Sequence, residues 1–186
     1  MNVYDFDHTI YDGDSSVDFY LYVLKKKPYL IILLPYQLFG LIFYFFNICT
    51  KERMKEYFFV FLRFIPVHEM VFNFWKQNLG KIKTWYLNQK NNKDVIISAS
   101  PEFLLAPLVC GQLNVSLIAS EINEKTGKFL GKNCYGQEKI IRLIAMYPKA
   151  VVSKFYSDSY TDAPLAEIAE DAFLIHNNTI TRWRKT

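Results

Sequence analysis

Apolar positions follow two rhythms along this chain. Short runs such as Asn2-Val3-Tyr4-Asp5-Phe6 and Asp94-Val95-Ile96-Ile97-Ser98 have the length of strands and end in polar residues, as buried strands do. Residues 114–118, 150–156 and 172–175 predict three more strands, and residues 103–110, 137–147 and 164–169 carry helical spacing between them. Ser100-Pro101-Glu102 reads as a helix start, with serine as N-cap, proline at the first helical position and an acid in the first turn. Lys125-Thr126-Gly127-Lys128 reads as a hairpin turn. Strands alternating with helices predict a parallel α/β sheet with right-handed crossovers.

One region breaks the alternation. Residues 19–90 read as helical throughout, strung with lysines and holding well over half of the aromatic residues. The expected organisation is therefore a core of residues 1–18 and 91–186, with residues 19–90 inserted after the first strand as a helical cap. Charge marks the same division: −5 over residues 1–20, +9 over residues 21–93 and 0 beyond. The overall +4 is too small to argue for nucleic acid. A content of 51% hydrophobic and 22% charged residues excludes disorder and a disulfide scaffold. Cys49, Cys110 and Cys134 are odd in number and widely spaced, which fits a reducing compartment better than disulfides or zinc. With an acidic, strand-like N-terminus and no basic leader, a cytoplasmic location is expected.

The polar residues that chemistry would use fall at the carboxyl ends of the strands, where such sheets bind ligands. In Asp5-Phe6-Asp7-His8-Thr9 two carboxylates stand two apart, and strand alternation would turn both to one face. Crowded carboxylates repel, and Mg²⁺ relieves this while sharing its other positions with water and phosphate. One aspartate could instead attack phosphorus while its neighbour acts as general acid and base. Ser98 closes the second strand just before a helix start, a natural phosphate cradle. Lys139, in the first turn of a helix where bases are disfavoured, is explained if it neutralises phosphate. Asp158 could complete a metal site. Asp162 could hold Lys139 or the metal's waters, or cap the helix that contains Pro164.

On these residues the chain resembles the haloacid dehalogenase-like hydrolases, in the branch containing phosphoserine phosphatase. The motifs are Asp5-Phe6-Asp7-His8-Thr9, Ser98, Gly136-Gln137-Glu138-Lys139 and Asp158-Ser159-Tyr160-Thr161-Asp162, in family order. The resemblance implies a Rossmann-like three-layer α/β core with a helical cap after the first strand. It implies Asp5 as nucleophile, Asp7 as acid/base, and a phosphate-binding set of Ser98 and Lys139, with Thr9 joining that set by supporting the loop of the two aspartates. It also implies Mg²⁺ on Asp5, the backbone carbonyl of Asp7, and Asp158. Ser98-Ala99-Ser100 departs from the Ser-Gly-Gly usual in phosphoserine phosphatases, which weakens an amino-acid phosphate as substrate.

The cap is similar to C-type phosphatidylglycerophosphate phosphatases around Leu33-Leu34-Pro35, which implies a lipid phosphate; phosphoserine or another small metabolite is the alternative. A third reading, of another class, is a non-catalytic membrane-surface binding module. Residues 28–50 hold no charge and lie between Lys25-Lys26-Lys27 and Lys51. That is long enough to span a bilayer, which takes about 20 apolar residues. A single span, however, would separate Asp5 from Ser98, Lys139 and Asp158. A second span through residues 57–74 would bury Arg63, His68 and Glu69, at about 2.5–3.5 kcal/mol for a central charge. A buried cap hairpin or a monotopic, peripheral contact with the membrane surface is expected instead, the second with its lysines on anionic headgroups. The competing expectation is that the aromatics only fill the cap's core. From the cap side, Arg53 and Asp14 are the candidate substrate contacts.

Overall fold

A computed structural model describes residues 1–177 and 179–183. Among these residues six strands form one sheet: β1 (Asn2–Tyr4), β2 (Val95–Pro101), β3 (Ser116–Ser120), β4 (Lys154–Ser157), β5 (Asp171–His176) and β6 (Thr179–Arg182). Their order is β3-β2-β1-β4-β5-β6, parallel except for the β5–β6 pair. The expected α/β sheet is present, with one correction. The antiparallel edge strand β6 was not anticipated, because all four of its residues are exposed and Thr179-Ile180-Thr181-Arg182 has no buried face to pattern.

Side-chain alternation splits the core into two layers. Tyr4, Ile96 and Tyr156 face one cluster, with Phe19 and Val23 of α1 (Ser15–Lys26). Leu104 and Leu108 of α6 (Glu102–Val109) lie in the same cluster. Val3, Val95, Ile97 and Phe155 face the other, with Leu143 of α7 (Gln137–Met146) and Leu165 of α8 (Ala163–Ile168). The result is helices on both faces of the sheet.

The inserted helices are α1, α2 (Leu34–Phe45), α3 (Lys51–Phe58), α4 (Val67–Asn78) and α5 (Thr84–Gln89). Helix α1 runs unbroken through residues 18 and 19, so the helical insertion starts at Ser15 in the element order. Phe61, Phe74 and Trp75 share the first cluster with core residues, and the Trp75 Nε1–H donates to Leu104 O at 2.6 Å. The inserted helices and the sheet are thus sealed by one hydrophobic layer.

The hairpin beyond α1 is different. A 3₁₀ turn (Pro28–Leu33) leads into α2, which packs so closely on α3 that a Cβ on Gly40 would clash with the Tyr57 side chain. Gln37, the one amide-bearing residue within α2, turns inward. Its Oε1 accepts from the Tyr20 hydroxyl at 2.5 Å and its Nε2 donates to Phe58 O at 2.8 Å. The apolar residues point outward, with Ile32 at 78%, Phe45 at 79% and Ile48 at 68% exposure. Pro28–Phe45 is long and apolar enough to cross a membrane, and only 17% of it is buried.

Candidate active site

Strand β1 stops at Tyr4, so the two aspartates are not brought together by strand alternation, contrary to the sequence expectation. Asp5 N still donates to Tyr156 O at 2.9 Å; the chain then turns over itself, with Ile10 N and Tyr11 N both on Phe6 O. His8 takes a left-handed φ of 57°, and its N–H donates to the carbonyl of Gly13, whose φ of 132° favours glycine. Lys83, reaching in from just before α5, braces this loop by donating to His8 O at 2.6 Å and Asn177 O at 2.7 Å.

Asp5, Asp7, Ser98, Lys139, Asp158 and Asp162 converge on one cavity of about 130 Å³, together with His8, Ala99, Tyr135, Ser159 and Thr161. Lys139 is 3% exposed and lies 2.6 Å from Asp5 Oδ1 and 2.7 Å from Asp162 Oδ2. Its helix starts at Gly136, whose φ of 56° suits glycine. The misplaced base of the sequence therefore sits between two carboxylates. Asp162 also accepts from the Ser157 hydroxyl at 2.7 Å and makes no side-chain cap to α8, so the capping expectation gives way to the lysine-holding one. Burial pulls the Lys139 ammonium down, but Asp5 and Asp162 overcome this and hold it charged. Burial pushes the Asp5 carboxyl up to about 8 against the opposing pull of Lys139.

Asp7 is held differently. Its Oδ1 accepts from Ser15 N at 2.7 Å and its Oδ2 from the Ser100 hydroxyl at 2.5 Å. Burial, then the neighbouring Asp14, raises its pKa above the usual carboxylate range. Such a carboxyl is suited to carry a proton. Ser100 does not cap the next helix as expected; Pro101 occupies the N-cap without a side-chain bond. The buried carboxylate of Asp7 takes that hydroxyl instead. Ser15 and Ser16 hydroxyls lie 3.3 and 3.1 Å from Ser100 Oγ, completing a serine cluster that no sequence motif announced.

The remaining candidates divide. Ser98 is 1% exposed, lines the cavity and accepts from Ser100 N at 3.1 Å. Thr9 is fully buried and does not line the cavity; it acts as a brace of the loop, donating to Asp5 Oδ2 at 3.4 Å and accepting from Asp158 N at 3.0 Å. Asp14 caps α1 by accepting from Val17 N at 3.0 Å, and borders a neighbouring cavity beside Asp7. Arg53 does not reach either cavity; it is paired with Glu56 at 2.7 Å on the exposed side of α3. Two residues earlier and later on α3, Lys51 and Lys55 do line the cavity beside Asp7. The helical period, which sends position 53 away from positions 51 and 55, could have told them apart had the inward face been known.

The donor set fits Mg²⁺. The carboxylates of Asp5 and Asp158 and the carbonyl of Asp7 are hard oxygens, and Mg²⁺ binds through one or two carboxylates plus water and phosphate. Among the described residues no cluster of three acidic, histidine or cysteine side chains forms an all-protein cage, an arrangement Mg²⁺ does not require. Asp162 Oδ1 is buried with no hydrogen-bond partner, an acceptor that a coordinated water could use. A cation beside Asp5 would also oppose the burial that raises its pKa.

A parallel sheet whose carboxyl edge gathers an aspartate-bearing loop, Ser98 and a buried lysine presents the site of a Rossmann-like hydrolase. The chain belongs to the haloacid dehalogenase-like hydrolases, whose sequence model matches residues 3–167. It is 31% identical over 88 residues to Protein CicA of Caulobacter vibrioides; the match covers 44% of this chain and only 40% of that protein. Its fold resembles a Bordetella pertussis protein of unknown function, with TM-score 0.68 and 20% identity, covering 90% of this chain and 85% of the other. It also resembles a phosphoserine phosphohydrolase-like protein from Francisella tularensis, with TM-score 0.57, 17% identity, and 92% and 86% covered. Likeness at that identity concerns the fold.

Proposed function

We propose that the protein is a Mg²⁺-dependent phosphomonoesterase that works through a phosphorylated Asp5 and acts on a lipid phosphate at the cytoplasmic surface of a bilayer. The observation that carries the chemistry is Asp5 in a cavity with Lys139 2.6 Å from its Oδ1, while Asp7 stands beside it on two donors of its own. An Asp5 oxygen attacks phosphorus and the ester oxygen leaves with a proton from Asp7. Asp7 then takes a proton from the water that hydrolyses the acyl phosphate. Lys139 and Ser98 hold the phosphate oxygens, and Asp162 keeps Lys139 in place. Mg²⁺ on Asp5, Asp158 and the Asp7 carbonyl would neutralise charge at the phosphate.

The exposed hairpin supports the lipid reading. Phe45, Phe46 and Ile48 project from it, and Lys25, Lys26 and Lys27 lie at its root. Apolar insertion with lysines on anionic headgroups is how a protein lies on a membrane without crossing it. The test is hydrolysis of an aryl phosphate, phosphoserine, sugar phosphates and a lipid phosphate, each with Mg²⁺ and with EDTA. Metal-dependent turnover, covalent phosphate on Asp5 and preference for the lipid are expected. Preference for phosphoserine would return the enzyme to small metabolites. Vesicle binding without turnover of any ester would leave a membrane-surface binding module.

A further inference from the structure

We infer that a second cavity, between cap and core, binds an additional anionic group carried by the leaving group of the substrate. This rests on the phosphomonoesterase reading above. The cavity, about 350 Å³, shares Asp7, Ala99 and Tyr135 with the catalytic cavity, so a group leaving with the proton of Asp7 stands at its mouth. Its floor and walls combine Val17, Met54, Phe58 and Phe59 with two lysines, Lys51 and Lys55.

Those lysines are built in. Lys55 Nζ donates to Ala99 O at 2.9 Å and to Asn133 Oδ1 at 3.2 Å. An ammonium has three protons, and a third is left for a ligand. Asn133 is itself fixed by the Ser120 hydroxyl at 3.0 Å. Lys51 Nζ stands 3.4 Å from the centre of the Tyr135 ring, held over its face. Asp7 and Asp14 are the acids of the same cavity; Asp7 is occupied by Ser15 and Ser100, and Asp14 by Val17 N. Among the described residues neither lysine is ion-paired with these acids, so two ammonium groups stand near an apolar wall where the leaving group would lie. Desolvation beside another cation is unfavourable for a lysine, and an anion relieves it. The chemistry that fits is a second phosphate, phosphodiester or carboxylate joined to a partly apolar body. Phe58 also touches the hairpin through Gln37, so acyl chains would continue toward the exposed apolar face.

The probes are an aryl phosphate, a soluble glycerol phosphomonoester bearing a second phosphodiester, and the same headgroup on short acyl chains. The unmodified enzyme should favour both doubly charged esters over the aryl phosphate. Lys55→Met should cut that ratio of kcat/KM by about tenfold or more, as expected for a lost charge-assisted hydrogen bond. Lys51→Gln should lower it less, and Lys55→Arg should restore part of it. A larger gain for the acylated ester than for the soluble one identifies a lipid source, an equal gain for both identifies the soluble headgroup, and no gain for the soluble doubly charged ester overturns the subsite. Calorimetry with a plain alkyl phosphonate and one bearing a second anion gives a readout independent of turnover. Tighter binding of the second phosphonate, lost in Lys55→Met, supports the subsite even if no ester is hydrolysed, an outcome that would overturn only the phosphatase reading. Equal binding of the two phosphonates, or equal loss on every ester in a folded Lys55→Met, overturns the subsite.

Discussion

The floor of the active site and the α2 hairpin depart from the ordinary burial rule in opposite directions. At the floor, the ionisable side chains of Asp5, Lys139 and Asp162 are almost wholly removed from water and paired with one another. On the hairpin, side chains as apolar as Phe45 and Ile32 stand in solvent with more than three quarters of their surface exposed. Burying charge costs desolvation that pairing only partly returns. A large exposed apolar face invites association. Neither is what stability alone favours, and each lies where the proposed function places a ligand: an anion and a cation at the floor, a lipid surface at the hairpin. Between them the first hydrophobic cluster obeys the rule, and Trp75 and Phe74 lock the cap to the sheet.

The contrast can be broken most severely at Lys139. Lys139→Met leaves Asp5 and Asp162 facing each other in a buried space, and should cost about 3–5 kcal/mol in a denaturant titration. Lowering the pH should recover part of that loss by protonating the pair. A loss no larger than that of an exposed lysine would mean the cluster is open to water.

A smaller effect should appear in the pH dependence of stability without metal. The Asp5 carboxyl titrates near 8 when folded and near 3.8 when exposed. Between those values the folded protein holds a proton that the unfolded chain releases, so stability falls as pH rises from 3.8 to 8. The raised carboxyl of Asp7 acts in the same direction. Lys139, held charged in this window as it is when unfolded, adds no slope. Thermal melts across this range should show the decline, and Asp5→Asn should flatten it. A stability that rises with pH through this window in the metal-free protein would contradict the burial of Asp5.

The hairpin should respond in the opposite manner. Replacing Phe45 and Phe46 together by Ser should change folding stability by no more than about 0.5 kcal/mol per site, as for other exposed positions. Sedimentation with anionic vesicles should nevertheless be largely lost, while neutral vesicles bind weakly throughout. A marked loss of stability would show that these rings support the fold.

Strand-length apolar runs made β1, β2, β3, β4 and β5 legible, because a buried parallel strand is apolar on both faces. Edge strand β6, with no buried face, was invisible. Asp5, Asp7, Ser98, Lys139, Asp158 and Asp162 were legible as a set because each follows a strand or opens a helix at the same edge of the sheet. The aromatic insertion was legible as helical, but not as divided. Phe61, Phe74 and Trp75 are interior while Phe45 and Phe46 are not, although all occur in similarly apolar sequence.

What the sequence by itself determined, then, are the local elements and the kinds of groups delivered to the sheet's edge, since both follow from periodicities of two and 3.6 residues and from chain order. Only the tertiary structure decided which partner each group takes. Ser100 is bonded to Asp7 across 93 positions rather than capping its own helix, Lys139 to Asp5 across 134, and Lys55 rather than Arg53 is brought to Ala99 across 44. A buried carboxylate or carbonyl without a partner is costly enough to draw the nearest donor from any part of the chain, and nearness over such distances is set by how the cap helices pack on the sheet.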